Sequence, residues 1–180
     1  MKEKIPFYEV ANKFFVGAVF SILFVIVTFE KIPYAKFYNQ YADTLKDWSG
    51  VIAVVLLVLM YELGFIINRT SAITVGYVLE KAKIWPRDSY QIDVSELKRV
   101  NDTFNSMVTE LILIRSHVLL YLVLCIVSLV CKNWAAASAF FLIIIMFIVS
   151  GKKHNKRINV IRKDYAEKLE KEQRENETGN

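Results

Sequence analysis

The chain has 180 residues, 54% of them hydrophobic, and a formal charge of +5. Its apolar residues gather in several runs of sixteen or more, a pattern that excludes an ordinary soluble domain and places the chain among polytopic membrane proteins. Two cysteines, Cys125 and Cys131, and two histidines, His117 and His154, form no C-x-x-C pair, no disulfide framework and no zinc-ligand cluster.

Residues 1–13 are short and mixed in charge. Residues 14–29 are uncharged and, with Ala11, Asn12 and a snorkelling Lys13, long enough to span a bilayer. This run is longer than the apolar core of a signal peptide. It is followed by Glu30-Lys31-Ile32-Pro33 instead of a small-x-small cleavage site, so it is expected to be an uncleaved first span. Gly17 and Ser21 within it make a small-x-x-x-small pair that permits close helix approach.

In residues 30–47 the positions Tyr34, Phe37, Tyr38, Tyr41, Leu45 and Trp48 recur at three or four, with Pro33 suited to a first helical position. The spacing predicts a short amphipathic helix lying at the membrane interface, where aromatic rings are favoured. Residues 48–68 form the second span, interrupted by Glu62 and closed by Arg69. Over residues 70–85, Val75, Val78, Leu79, Ala82 and Trp85 share one helical face, which predicts that the second span continues into water until Pro86 stops it. Arg87-Asp88-Ser89 reads as a turn, and Asp93 with Glu96 as a capping box opening the next helix.

That helix carries a seam of Leu97, Val100, Phe104, Met107, Leu111 and Ile114 at alternating steps of three and four. It leads into residues 111–130, LILIRSHVLLYLVLCIVSLV, whose ionisable side chains near the start are Arg115 and His117. This is the third span. After a two-residue turn, Lys132-Asn133, residues 134–150 form the fourth, rich in Ala and Ser at its start. The tail, 152–180, opens with a basic cluster of Lys152, Lys153, Lys156, Arg157, Arg162 and Lys163. A stripe of Ile158, Ile161, Tyr165 and Leu169 runs through it. Residues 170–180 lose the stripe and are expected to be disordered.

The expected fold is therefore all-α: four transmembrane helices, some extended into a cytoplasmic bundle. It divides into a first transmembrane hairpin (1–68), a cytoplasmic helical segment (69–110), a second hairpin (111–151) and a charged tail (152–180). Nineteen of the 23 lysines and arginines fall in the amino terminus, residues 69–115 and the tail. By the positive-inside rule both termini face the cytoplasm of a cell (inner) membrane.

Glu62, Arg115 and His117 are the informative intramembrane polar groups. With residues 48 and 131 as outer span ends, Glu62 lies ~21 Å below its end, Arg115 ~24 Å and His117 ~21 Å at ~1.5 Å rise per residue. An ionisable group in a span is costly unless paired, so Glu62 is expected to pair with Arg115. Asn68, Arg69 and Glu110 would form a wetter layer beside them at the cytoplasmic interface. The functional version of this layer is a polar gate or a proton-sensitive site at His117; the plainer version is a salt bridge pinning two spans.

No Gly-rich phosphate loop, activated nucleophile or carboxylate cluster is present, so the expectation is a non-enzymatic protein with no cofactor or metal. The seam makes a natural homo-oligomer interface. The basic tail suits lipid headgroups and a cytoplasmic protein partner better than direct contact with nucleic acid, because apolar residues interleave it.

The order of spans resembles that of small four-span bacterial membrane proteins, some of them membrane components of anti-phage defence systems. The expected function is to self-associate and couple a cytoplasmic partner or signal to the membrane, as a pore-forming or membrane-disrupting effector or as a sensor. The alternatives are a constitutive channel or carrier for a small solute, and a membrane-embedded lipid enzyme.

Overall fold

The computed structural model describes residues 7–85 and 102–178. Five helices follow one another: α1 (Phe7–Thr28), α2 (Tyr34–Asp47), α3 (Ser49–Lys81), α4 (Asp102–Val130) and α5 (Trp134–Thr178). No strand occurs among the described residues. All but α2 are long and apolar enough to cross a membrane. The expected turn at 87–89, the capping box at Asp93 and Glu96, and the seam positions Leu97 and Val100 lie outside the described residues.

The central helix is α4, which packs against α1, α3 and α5, while α1 and α3 also pair with each other. Leu120 and Leu124 of α4 are completely buried among Val16 and Val27 of α1 and Phe140 of α5. One end of the bundle is a tight α4–α5 turn. Lys132 there takes a left-handed φ of 58°, and the Asn133 side chain accepts a hydrogen bond from the Ala136 N–H at 3.1 Å, capping α5. The opposite end is charged.

The α1–α3 pair meets backbone to backbone. A Cβ at Gly17 would overlap the Met60 carbonyl, and one at Gly64 would overlap the Lys13 carbonyl. Gly17 thus serves as the close-approach residue its spacing predicts, and its partner across the crossing is Gly64. Ser21 turns its hydroxyl back to the Gly17 carbonyl at 2.9 Å.

Helix α2 buries none of its residues. Phe37, Tyr38 and Tyr41 are open on its surface, as expected of a helix meant to lie against something other than its own bundle.

Three helices run beyond their apolar stretches into the charged end. Helix α3 continues through residue 69 as expected but ends at Lys81, before Pro86 is reached. Lys83 takes a φ of 54°, and the Ile84 and Trp85 N–H groups both return to the Leu79 carbonyl, at 3.0 and 3.1 Å. This left-handed stop turns the chain so that Trp85 leaves the helical stripe it was expected to extend. Its ring lies where a Cβ of Gly151 would be, and its Nε1–H donates to the Ile148 carbonyl at 3.2 Å. Val75 and Leu79 are buried in this cluster, whereas Val78 is exposed.

The tail departs further from expectation. It is not a disordered end: α5 continues the fourth apolar stretch without interruption to Thr178. Residues 152–178 contain neither proline nor glycine and are rich in Glu, Lys and Arg, all good helix formers. Phe104, 1% exposed, packs with Ile158, and Met107, Val108, Leu111, Ile161 and Tyr165 surround them. Phe104, Met107 and Leu111 of the α4 seam are therefore covered by the stripe of the same chain's tail, while Ile114 packs with Val75, Leu79 and Trp85.

Candidate functional site

The polar groups at the charged end are placed by helix phase. The inward positions of α3 are Gly64, Ser71, Val75 and Leu79. Glu62 stands two residues before Gly64, about 200° around the helix, and is exposed. The expected Glu62–Arg115 pair does not form. Azimuth puts Glu62 on the side away from α4, and the depth read from the rise does not hold either, since Arg115 and Ser116 meet α3 at Asn68, Ser71 and Gly76. The α3 residues that do meet this level of α4 lie about two turns further on.

Those residues are Asn68 and Ser71. The Ser71 hydroxyl donates to the Asn68 carbonyl at 2.8 Å, and the Ser116 hydroxyl to the Ile112 carbonyl at 3.0 Å. The two hydroxyl oxygens face each other across the helices at 3.3 Å, and the Asn68 Oδ1 lies 3.3 Å from Ser116. Ser71 and Ser116 are each 1% exposed, so these bonds satisfy hydroxyls cut off from water. Neither serine stands out in the sequence, because a serine that bonds back to its own helix looks like any small residue in an apolar run.

Arg115 and His117 point in different directions. Arg115 crosses to α3, where its Nη1 lies 3.4 Å from the position of a Cβ on Gly76. Glycine at 76 leaves the guanidinium its room. The Arg115 Nε is shielded from solvent and has no hydrogen-bond partner. His117 faces α1 and α5. Its ring stacks on Phe147 with centroids 5.0 Å apart and is flanked by Tyr121 and Phe15 at 6.1 and 6.2 Å. Its Nδ1 lies 2.9 Å from the Leu113 carbonyl. A carbonyl only accepts, so the proton of that bond sits on Nδ1. Glu62, Arg115 and His117 are thus three separate groups rather than one layer.

Two cavities flank Arg115. The first, about 240 Å³, lies between α1, α3 and α4; Lys13, Asn68, Arg69, Arg115 and Ser116 contribute to its walls. The second, about 440 Å³, lies between α3, α4 and α5, with Gly76, Glu80, Trp85, Arg115 and Arg162 among its walls. Arg115 forms part of both. Lys13 and Arg69 also share one aromatic support: their cationic groups lie 5.6 and 5.3 Å from the Phe65 ring centroid.

Glu110 is drawn the other way, toward α5, where an oxygen lies 3.3 Å from the His154 Nδ1. In the basic cluster Lys152, Lys153, Lys156, Arg157 and Lys163 are exposed, while Arg162 is half-buried at the second cavity. Lys163 and Glu167 approach to 3.7 Å one turn apart, an exposed pairing of little energetic weight. Among the described residues no three of His, Cys, Asp and Glu converge as a metal site would need. Cys125 and Cys131 are both free thiols.

No protein-family model, curated protein or solved structure matches this chain.

Proposed function

We propose that the chain is a non-enzymatic, multi-pass membrane protein that couples a cytoplasmic partner or signal to the bilayer. In this reading α1, α3, α4 and α5 span the membrane, and the charged end and both termini face the cytoplasm. The observation that carries it is mechanical continuity. Helices α3, α4 and α5 pass unbroken from apolar stretches into the charged end. There they are tied by Trp85 against Gly151 and by Phe104 against Ile158. A helix is stiff along its axis, so a partner that shifts this base shifts the spans with it.

Self-association supplies the response. Val54, Val55, Leu56, Leu57, Val58 and Leu59 of α3 are all about half exposed, a surface that needs lipid or a second copy. The buried polar side chains of the described bundle are Thr28, Ser71, Ser116, His117 and Ser128. Those of Thr28, Ser116, His117 and Ser128 bond carbonyls of their own helices. A conducting path therefore forms between copies rather than through one chain. On this reading the protein is a pore-forming or membrane-disrupting effector, or a sensor, of the kind its span order resembles.

The test combines membrane potential with topology. Cells express the wild type or Arg115→Ala at matched levels, each with a carboxy-terminal reporter that reports the side of the membrane. A cytoplasmic reporter with depolarisation that the substitution alters supports the effector form. A cytoplasmic reporter without depolarisation supports the sensor form. A reporter on the outer face, or a chain that is not retained in the membrane, refutes the proposal.

A further inference from the structure

Two apolar ties hold the base of the bundle at α5: Trp85 against Gly151, and Phe104 against Ile158. Between them, about one turn from each, stands His154. Its Nδ1 lies 3.3 Å from a carboxylate oxygen of Glu110 on α4, and the two side chains are 23% and 43% exposed. The Nδ1 is shielded from solvent and makes no hydrogen bond. What the contact is worth therefore depends on the charge of the ring. A carboxylate only accepts, and so does an unprotonated ring nitrogen. The neutral ring suits the carboxylate in one of its two tautomers. The protonated ring carries a proton on both nitrogens and a positive charge, so it suits the carboxylate always.

Among the described residues the other charged groups near this level face elsewhere. On α4, Arg115 reaches Gly76 of α3, and His117 stacks on Phe147, about two turns before His154 along α5. On α3, Glu80 borders the second cavity and Lys81 lies over the Tyr77 ring. Lys83, beyond the end of α3, is open to solvent. On α5 itself, Lys153 and Arg157 are exposed, where water and salt screen them, and Arg162 borders the second cavity.

We infer that His154 and Glu110 form a proton-controlled clamp on the α4–α5 base. With the ring protonated and the carboxylate ionised, the pair adds a third tie between the two apolar ones. Loss of the ring proton removes the charge of that tie and leaves the apolar ties in place. Histidine changes charge between about pH 5 and 8. The folded contact favours the charged ring, so its stabilisation is present on the acid side of the histidine titration and lost as pH rises through it. Acidification of the cytoplasm then tightens the base that joins α4 to α5. That consequence rests on the proposed cytoplasmic placement of this end; the clamp itself does not.

The full-length protein, purified in mild detergent, is followed by amide hydrogen exchange on either side of the histidine range, at about pH 7.5 and about pH 5.5. Protection factors, corrected for the intrinsic pH dependence of exchange, are read over residues 152–161. Wild type is compared with Glu110→Gln, His154→Gln and the double variant. In wild type, protection is expected to rise about two- to fivefold on acidification, the yield of a partly exposed ion pair. Either single variant loses the rise, and the double variant behaves as the singles do. Lys152→Gln/Lys153→Gln, which removes charge from the same turn without touching the pair, keeps it.

Wild-type protection that stays level or falls on acidification overturns the clamp, whether or not the variants fold. So does a rise that persists in Glu110→Gln, because another group then carries the pH dependence. A carboxy-terminal reporter on the outer face of the membrane would refute the cytoplasmic placement and leave these readings in detergent unchanged, so the two failures are separable.

Discussion

Replacing Gly64 by alanine tests the α1–α3 crossing most directly. Two terms compete. In a helix alanine is favoured over glycine by about 1 kcal/mol, and at Gly50, where a Cβ meets nothing within 4 Å, that term acts alone. At Gly64 the new Cβ overlaps the Lys13 carbonyl oxygen and stands 3.0 Å from the Gly17 nitrogen. Both are backbone atoms, so no rotamer change relieves the contact and α1 must move as a body. Overpacking of this kind costs about 1–3 kcal/mol. The difference in stability between Gly64→Ala and Gly50→Ala is therefore expected to be about 1–3 kcal/mol in favour of the Gly50 variant. Reversible unfolding by denaturing detergent, followed by circular dichroism, measures it. Gly17→Ala strikes the same crossing through the Met60 carbonyl, so the Gly17/Gly64 double variant should lose less than the sum of the singles. A Gly64→Ala protein as stable as Gly50→Ala would show that the two backbones do not touch, and the reasoning would fail.

Three other substitutions probe the charged end. Phe104→Ala removes a side chain 1% exposed and should weaken the α4–α5 base by about 3–5 kcal/mol; limited proteolysis beyond Ile158 should quicken while the apolar half of α5 stays protected. Gly151→Val places a branched side chain where the Trp85 ring lies; because Trp48 and Trp134 are already exposed, a red shift in tryptophan emission would report Trp85 leaving its pocket, and unchanged emission would contradict its placement. Glu62→Gln should leave unfolding within about 0.5 kcal/mol of wild type, as for an exposed residue without a buried partner. Exchanging Glu62 and Arg115 together should accordingly give no rescue of Arg115→Glu in expression or stability.

The outline of the fold was legible because its governing quantities are one-dimensional. Apolar runs, a two-residue turn and helix-forming connections locate the long helices. The rise of ~1.5 Å per residue converts position into depth. Gly17 was readable as a close-approach site, and the stripe of Ile158, Ile161 and Tyr165 as a face in need of a partner. The disordered end expected after residue 169 failed because loss of an apolar stripe removes tertiary contact but not helix propensity; a tail rich in Glu, Lys and Arg can continue a helix already nucleated by a long apolar one.

Azimuth and neighbour choice were decided by the tertiary structure. A helix apolar all round carries almost no sequence signal for which face turns inward, so Glu62 and Arg115, expected to pair, point to different surroundings. The same limit hid Gly64, Ser71, Ser116 and Gly76, small residues whose roles exist only once a second helix lies against them. It also hid the meeting of Glu110 and His154 across α4 and α5. Sequence by itself determined how far along each helix a group lies. Only packing determined what that group faces, because the energy of a close backbone contact or a shared charge depends on separations of a few ångströms between residues distant in the chain.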